Sequence, residues 1–391
     1  MADNTTSSKP HPAALPRRQA LHRLAAGGLL LSGAGLARAQ SAGRIVLGQS
    51  AAFTGPAAQL GIQMNQGARL AFDAFNAGGG LDGRKIDLQT LDDGYDPARC
   101  KANTEKFLAS DVFALFGYVG TPTSLAALPL VKENRTPFFG PFTGAMALRE
   151  PHLKQVFHVR ASYDDETALI VKQLTSLGLN RVAVFRQNDA YGQAGLDGVN
   201  KALKALGLEP VAVSTVERNS VDVATAVKAI VPAKPDAIVQ ISAYKSCAAF
   251  IREARKAGYG GTFYNVSFVG TQALADELGR EAHGVVVSQV MPYPYTQSIP
   301  ITREYLAAIK AANDPKVKPN YSSMEGFIAA RTFIEGLRRA KSASYDAFVG
   351  GVESLQGMSL GGFTVNFGPH AHVASRFVEL SMLTEDGGVR R

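Results

Sequence analysis

From Arg44 onward, short apolar runs alternate with stretches whose apolar residues recur at helical spacing. Arg44 to Gln49 predicts a strand. Ala68, Ala71, Phe72 and Phe75 stand at i, i+3, i+4 and i+7, which predicts a helix from Asn65 to Ala77, stopped by Gly78-Gly79-Gly80. Lys85 to Leu91 alternates as a strand. Pro97 to Ala109 reads as a helix, Val112 to Gly117 as a buried strand, Thr123 to Asn134 as a helix and Pro137 to Gly140 as a short strand. After Arg160 the rhythm restarts. Helical patterns run from Asp164 to Leu177, Gly192 to Leu206, Val223 to Val231 and Ser246 to Ala257. Strand patterns between them run from Arg181 to Arg186, Val211 to Val216, Ala237 to Ser242 and Thr262 to Val266. A strand from Val285 to Val290 and helices from Thr302 to Ala312 and Ser323 to Lys341 follow. Phe363 to Phe367 and Phe377 to Met382 read as a closing antiparallel hairpin around Gly368-Pro369.

Strands alternating with helices imply parallel sheets covered on both faces. Two such series imply an α/β protein of two Rossmann-like lobes, joined where the chain crosses between them. Three crossing strands make a hinge, and the cleft beside a hinge is where ligands usually bind. The expected division is residues 44–160 with 290–361 in the first lobe, and 161–289 with 362–391 in the second.

Residues 1–39 are set apart. Arg17-Arg18 opens a basic segment, a weakly apolar run follows from Leu24 to Leu36, and Ala37-Arg38-Ala39 offers a small-x-small cleavage site. This is the layout of a cleaved export signal, and the run is too short and too rich in Gly to span a bilayer. Periplasmic location is therefore expected, by the general route or, given the paired arginines, by a twin-arginine route. The net charge of +8 shrinks accordingly: with five basic residues and Asp3 in that segment, 36 basic and 32 acidic residues remain. No dense Lys/Arg stripe exists, which argues against nucleic-acid binding. Cys100 and Cys247 lie far apart in the chain and are expected to be buried free thiols.

The candidate chemistry sits at strand-to-helix turns. Tyr118-Val119-Gly120-Thr121-Pro122-Thr123-Ser124 leaves a strand, with Thr121 as N-cap and Pro122 in the first turn. Free N–H groups and three hydroxyls there suit an anion, although a plainly capped helix has the same sequence. Pro141-Phe142-Thr143-Gly144-Ala145 leaves the next strand. In the second series, Tyr191 and Tyr244 occupy equivalent turns and offer a ring and a hydroxyl each. Asp164-Asp165-Glu166 opens a helix, where acids offset the dipole. The glycines from Gly78 to Gly83 follow a helix and form no dinucleotide fingerprint. There is no phosphate loop, no nucleophile elbow and no nucleophile–base pair, so no enzyme activity and no cofactor are expected. His370-x-His372, beside a Gly-Pro turn, reads as a solvated hairpin tip rather than a metal site.

The sequence resembles the leucine/isoleucine/valine-binding type (type I) of periplasmic solute-binding proteins, which serve ABC importers. The resemblance spans about residues 44–385. It rests on Gly48 through Pro56, Gly61 through Ala68, Gly79 through Arg84, Asp92-Asp93, Asp96-Pro97, Tyr191-Gly192, Arg252, Ala257-Gly258, Glu325-Gly326 and Ala329-Ala330. It implies a monomer that binds a small carboxylate, an amino acid or an aromatic or keto acid, and presents it to a membrane permease. In that family first-lobe hydroxyls and N–H groups hold the carboxylate, which implies Thr121 and Thr143, with Phe142 and Gly144 flanking. Two second-lobe tyrosines close over the ligand, matching Tyr191 and Tyr244. An acid that pairs with a ligand ammonium is replaced here by Ser267, beside Asn265 and Phe268, and a first-loop aromatic by Leu60. A buried ammonium without a counter-charge is costly, so Phe53, Phe142, Phe268 and the tyrosines point to an apolar or aromatic acid. An exported sensing module and, further off, an exported enzyme are the other readings.

Overall fold

The computed structural model describes residues 1–2, 43–340 and 344–391. The export-signal segment and Lys341 lie outside the described residues. The first lobe opens with β1 (Arg44–Ala51), α1 (Ala58–Ala77) and β2 (Lys85–Asp92). Helix α2 (Pro97–Ala109) starts where predicted, because Asp96 accepts a hydrogen bond from Arg99 N at 2.8 Å and Pro97 fills the first turn. Then come β3 (Ala114–Phe116), α3 (Thr121–Asn134), β4 (Phe138–Phe139) and β5 (Val156–Phe157). The sheet order is β2-β1-β3-β4-β5, with β1–β3, β3–β4 and β4–β5 parallel.

The second lobe begins with α4 (Tyr163–Ser176), whose start is fixed by a capping box between Ser162 and Asp165. It continues with β6 (Val182–Gln187), α5 (Ala190–Lys204), β7 (Ala212–Val216), α6 (Ala224–Ile230) and β8 (Ala237–Ile241). Next are α7 (Tyr244–Lys256), β9 (Thr262–Asn265), α8 (Thr271–Leu278) and β10 (Val286–Gln289). The chain then returns to the first lobe as α9 (Pro300–Ala312) and α10 (Tyr321–Arg339), the latter lying along α1. Glycines permit this approach: a Cβ at Gly67 would lie 1.7 Å from the Ser323 carbonyl oxygen, and one at Gly326 2.1 Å from that of Met64. After α11 (Tyr345–Glu353), β11 (Met358–Ser359) and β12 (Thr364–Val365), the chain crosses a third time to β13 (Glu379–Leu383) and β14 (Val389–Arg390). The second sheet is ordered β14-β13-β10-β9-β8-β6-β7 and is parallel from β7 to β10. The first and third crossings run side by side, His158 N donating to His372 O and Ala374 N to His158 O, each at 2.8 Å.

Two sequence expectations fail here. A tight turn bridges Gly368 to Ala371, but the expected pairing of Phe363–Phe367 with Phe377–Met382 does not form: β12 pairs with β11, and β13 pairs antiparallel with β10 and β14. The apolar stretches on either side complete different lobes. His372 is not a solvated tip: it is buried, stacks on Phe157 with centroids 4.0 Å apart, and meets Glu353 through Nε2 at 3.1 Å. His370 is exposed. Among the described residues, no group of three His, Cys, Asp or Glu side chains is placed to hold a metal. Cys100 and Cys247 are both free and buried, one in each lobe.

Candidate functional site

Strand order reverses between β1 and β3 in the first sheet and between β6 and β8 in the second. In open α/β sheets such reversals leave crevices at the carboxyl ends of the strands. The turn from β3 into α3 passes through Gly120, whose φ is +102°, and a Cβ there would lie 2.3 Å from the Tyr95 ring. Gly120 is therefore the cap and Thr121 the first helical residue, against the expectation that Thr121 caps with its side chain. Released from capping, Thr121 Oγ1 lies 2.6 Å from Thr143 Oγ1, both residues buried.

The loop carrying Thr143 is locked beside this turn. Phe142 N donates to Tyr118 O at 2.7 Å and Gly120 N to Phe142 O at 3.2 Å, prolonging the sheet pairing by one step. Gly144 allows Tyr163 to close in: a Cβ would lie 2.6 Å from Tyr163 N, which donates to Gly144 O at 2.8 Å. Tyr163 Oη stands 3.5 Å from Thr143 Oγ1. Arg149, buried, braces the loop from behind by donating to the carbonyls of Thr143, Arg160 and Ala161, each at 3.2 Å. Burial, and then the charge of Arg160, push the Arg149 guanidinium down to about 9.

Beneath these loops lies a buried ion cluster. Arg160 Nη2 donates to Glu166 Oε1 at 2.9 Å and also to Ser267 Oγ. Glu166 accepts further from Ser267 N at 2.7 Å, Ser267 Oγ at 3.0 Å and Ser288 Oγ at 2.6 Å. Arg160 Nη1 faces Glu325 Oε2 at 3.5 Å, in ion-pair range but outside hydrogen-bond geometry, so Nη1 and Nε keep unpartnered N–H groups among the described residues. Burial pushes the Glu325 carboxyl up to about 7, although Arg160 pulls it down. The Arg160 guanidinium also lies 5.2 Å from the Phe142 ring centroid and 5.8 Å from that of Tyr163.

The second lobe contributes rings. Tyr191, held at the start of α5 by the Asp189 cap, is fully buried, and its Oη has no partner among the described residues. Tyr244 begins α7 and meets the backbone of Gln59 in the first lobe. Phe268 lies 4.6 Å from Tyr191, 5.5 Å from Phe142 and 5.9 Å from Tyr95, centroid to centroid. Leu60 presses on Gly270, whose φ is +81°; a Cβ there would lie 2.5 Å from Leu60 Cδ2. Gln187 Nε2 donates to Tyr95 Oη at 3.2 Å and Asn219 Nδ2 to Gly94 O at 3.1 Å. The lobes thus meet along the cleft, and Ser124 Oγ and Ser242 Oγ are further buried polar atoms at its strand ends without a partner among the described residues.

Of the residues singled out in the sequence, Thr121, Thr143, Phe142, Gly144 and Tyr191 gather in one place. Tyr244 and Leu60 line the contact between the lobes. Ser267 lies beside the group, but its hydroxyl and N–H are spent on Glu166. Sequence reasoning overlooked Tyr95, Tyr163, Arg160 and Glu325, and it misread Glu166 as an acid offsetting the α4 dipole. The available signal was Arg160 in the apolar run Val156 to Ala161, where an unpaired guanidinium would be prohibitive. A cavity of about 900 Å³ lies elsewhere, against the crossing segments. Lys201 pairs with Asp164 at 2.9 Å and Arg376 with Asp165 at 3.7 Å along its wall, and Arg149 Nε, His158 Nδ1 and His372 Nδ1, from residues that also line it, have no partner among the described residues.

The sequence pattern of the periplasmic binding protein family matches residues 44–387. A solved structure described as a possible leucine/isoleucine/valine-binding protein from Rhodopirellula baltica SH 1 is 34% identical. It superposes with a TM-score of 0.85, covering 89% of this chain and 95% of that one. A periplasmic binding protein type 1 from Bordetella pertussis Tohama I shares the fold at 23% identity and a TM-score of 0.80, covering 89% and 99% of the two chains. The Leu/Ile/Val-binding protein homolog 8 of Brucella abortus is 24% identical over 357 residues, 86% of this chain and 87% of its own. With its two parallel-sheet lobes meeting over a buried cleft, this chain belongs to the periplasmic binding protein family.

Proposed function

We propose that this protein is the solute receptor of an ABC importer and that it takes a small carboxylate into the cleft. The observation that carries the reading is the Thr121–Thr143 hydroxyl pair, 2.6 Å apart and buried at the amino end of α3. Two hydroxyls beside a helix amino terminus favour an anion by hydrogen bonding and by the dipole. Phe142 and Gly144 shape the loop beneath the ligand. Tyr191 supplies a buried hydroxyl from the opposite lobe, and Tyr244 and Leu60 close the rim. The ligand touches both lobes only when they are together, so binding shifts the population toward the closed form presented to the permease.

The charge balance favours acids without an α-ammonium. Arg149, Arg160 and Glu166 carry a net positive charge between them, and Glu325 is held near the midpoint of its titration at neutral pH. The Glu166 carboxylate already accepts four hydrogen bonds and leaves little for an incoming ammonium. Ser267 acts here as a positioning residue for Glu166. Thermal-shift and calorimetric screening of amino acids against keto and other simple acids tests this reading, and tight leucine binding would contradict it. Thr121→Val is expected to weaken the best acid by about 1–3 kcal/mol, the worth of a hydrogen bond to a charged group. Unchanged affinity in calorimetry would remove Thr121 from the site.

A further inference from the structure

Resting on the carboxylate reading, we propose that Phe268 fills the part of the cleft that an extended ligand would need, and so restricts the ligand to short carboxylates. The sequence suggested that the cleft rings would suit an aromatic or other apolar acid. Instead they contact one another. The Phe268 ring, fully buried, lies 4.6 Å from that of Tyr191, 5.5 Å from Phe142 and 5.9 Å from Tyr95. Carbon atoms in contact are about 3.5–4.0 Å apart, so a ring placed between two others separates them by about 7 Å or more. None of these three gaps admits one.

Phe268 is also held in place. On its amino-terminal side, Ser267 N and Oγ are tied to Glu166 at 2.7 and 3.0 Å. On its carboxyl-terminal side, Gly270 has a φ of +81° and is pressed against Leu60 from the first lobe. These contacts fix the backbone on both sides of Phe268, and the rings of Tyr191, Phe142 and Tyr95 surround its side chain. The remaining polar surface is compact: Thr121, Thr143, Tyr163 Oη, Tyr191 Oη and the free N–H groups of Arg160. It matches a carboxylate with a short chain, or a short keto acid whose second oxygen meets a further donor.

The test is calorimetric titration of the full protein with acetate, propionate, pyruvate, benzoate and phenylacetate, for wild type, Phe268→Ala and the milder Phe268→Leu. The expected result is that wild type binds at least one short acid and binds the ring-bearing acids about tenfold or more weakly. Phe268→Ala should raise the benzoate-to-short-acid affinity ratio by about tenfold or more, the range a pocket gives for a change of apolar size. Phe268→Leu should raise it by less. The ratio cancels any general loss of closure. Equal binding of short and ring-bearing acids by wild type, or an unchanged ratio in both variants, overturns the role of Phe268 and leaves the carboxylate reading standing. Absence of binding by every acid in all three proteins overturns both.

Discussion

Replacing Arg160 with Met is expected to destabilise the protein by about 3–5 kcal/mol, the cost of leaving a buried charge without its partner. Arg160 and Glu166 are almost completely buried and joined at 2.9 Å. Burial opposes the charge on Arg160, yet Glu325 and Glu166 together hold its pKa above the ordinary arginine value. Met keeps much of the apolar volume, so the loss reports on charge rather than on a cavity. Glu166 would keep three of its four hydrogen bonds, from Ser267 and Ser288, with no counter-charge in direct contact. Urea unfolding measures the effect. The Arg160→Met, Glu166→Met double variant should lose clearly less than the sum of the two single variants, because neither charge is then stranded. Additive losses would show that the pair is not coupled in the way its geometry implies.

The second large effect is a pH dependence that Glu325→Gln should erase. Burial raises the Glu325 carboxyl from its ordinary 4.5 to about 7. The folded protein then keeps this proton where the unfolded chain has released it, so stability falls as pH rises from about 4.5 to 7 and is level above. The size is about 3 kcal/mol, since one pKa unit is worth about 1.4 kcal/mol. Asp93, raised by burial to about 6 despite a hydrogen bond from Ser50, contributes a fall of the same sign from about 4 to 6. Buried His158, held well below 6.5 by desolvation, works the other way and loses stability as pH falls. The informative quantity is therefore the difference between wild type and Glu325→Gln. Wild type should gain on the variant by about 3 kcal/mol on going from pH 8 to pH 4.5. A flat difference would mean that Glu325 is not buried as a neutral acid.

Much of the fold is legible because periodicity records which face is buried. Helix α2 runs from Pro97 to Ala109 in the structure as in the sequence, and most other elements differ only by a turn at their ends. The start of α1 at Ala58 rather than Asn65 was hidden by Gln59, Gln63 and Gly61, which break the apolar pattern. The tail was misread because two adjacent apolar runs look like a hairpin unless one knows that they belong to separate sheets. That Thr121, Thr143 and Tyr191 come together was legible because each follows a strand end. The cleft was illegible where side chains meet across large sequence separations. Ser267 reaches Glu166 over 101 positions, and Tyr95 reaches Gln187 over 92. No local pattern marks such partners, and so the destination of Glu166 and the mutual packing of the rings emerged only from the structure.

The measurement that bears most directly on the site is a calorimetric comparison of the tightest-binding acid with its primary amide, which matches it in shape and lacks its charge. Recognition by paired hydroxyls, a helix terminus and a net positive cluster predicts that the amide binds about tenfold or more weakly, the equivalent of 1.4 kcal/mol or more. Equal affinity for acid and amide would contradict the account.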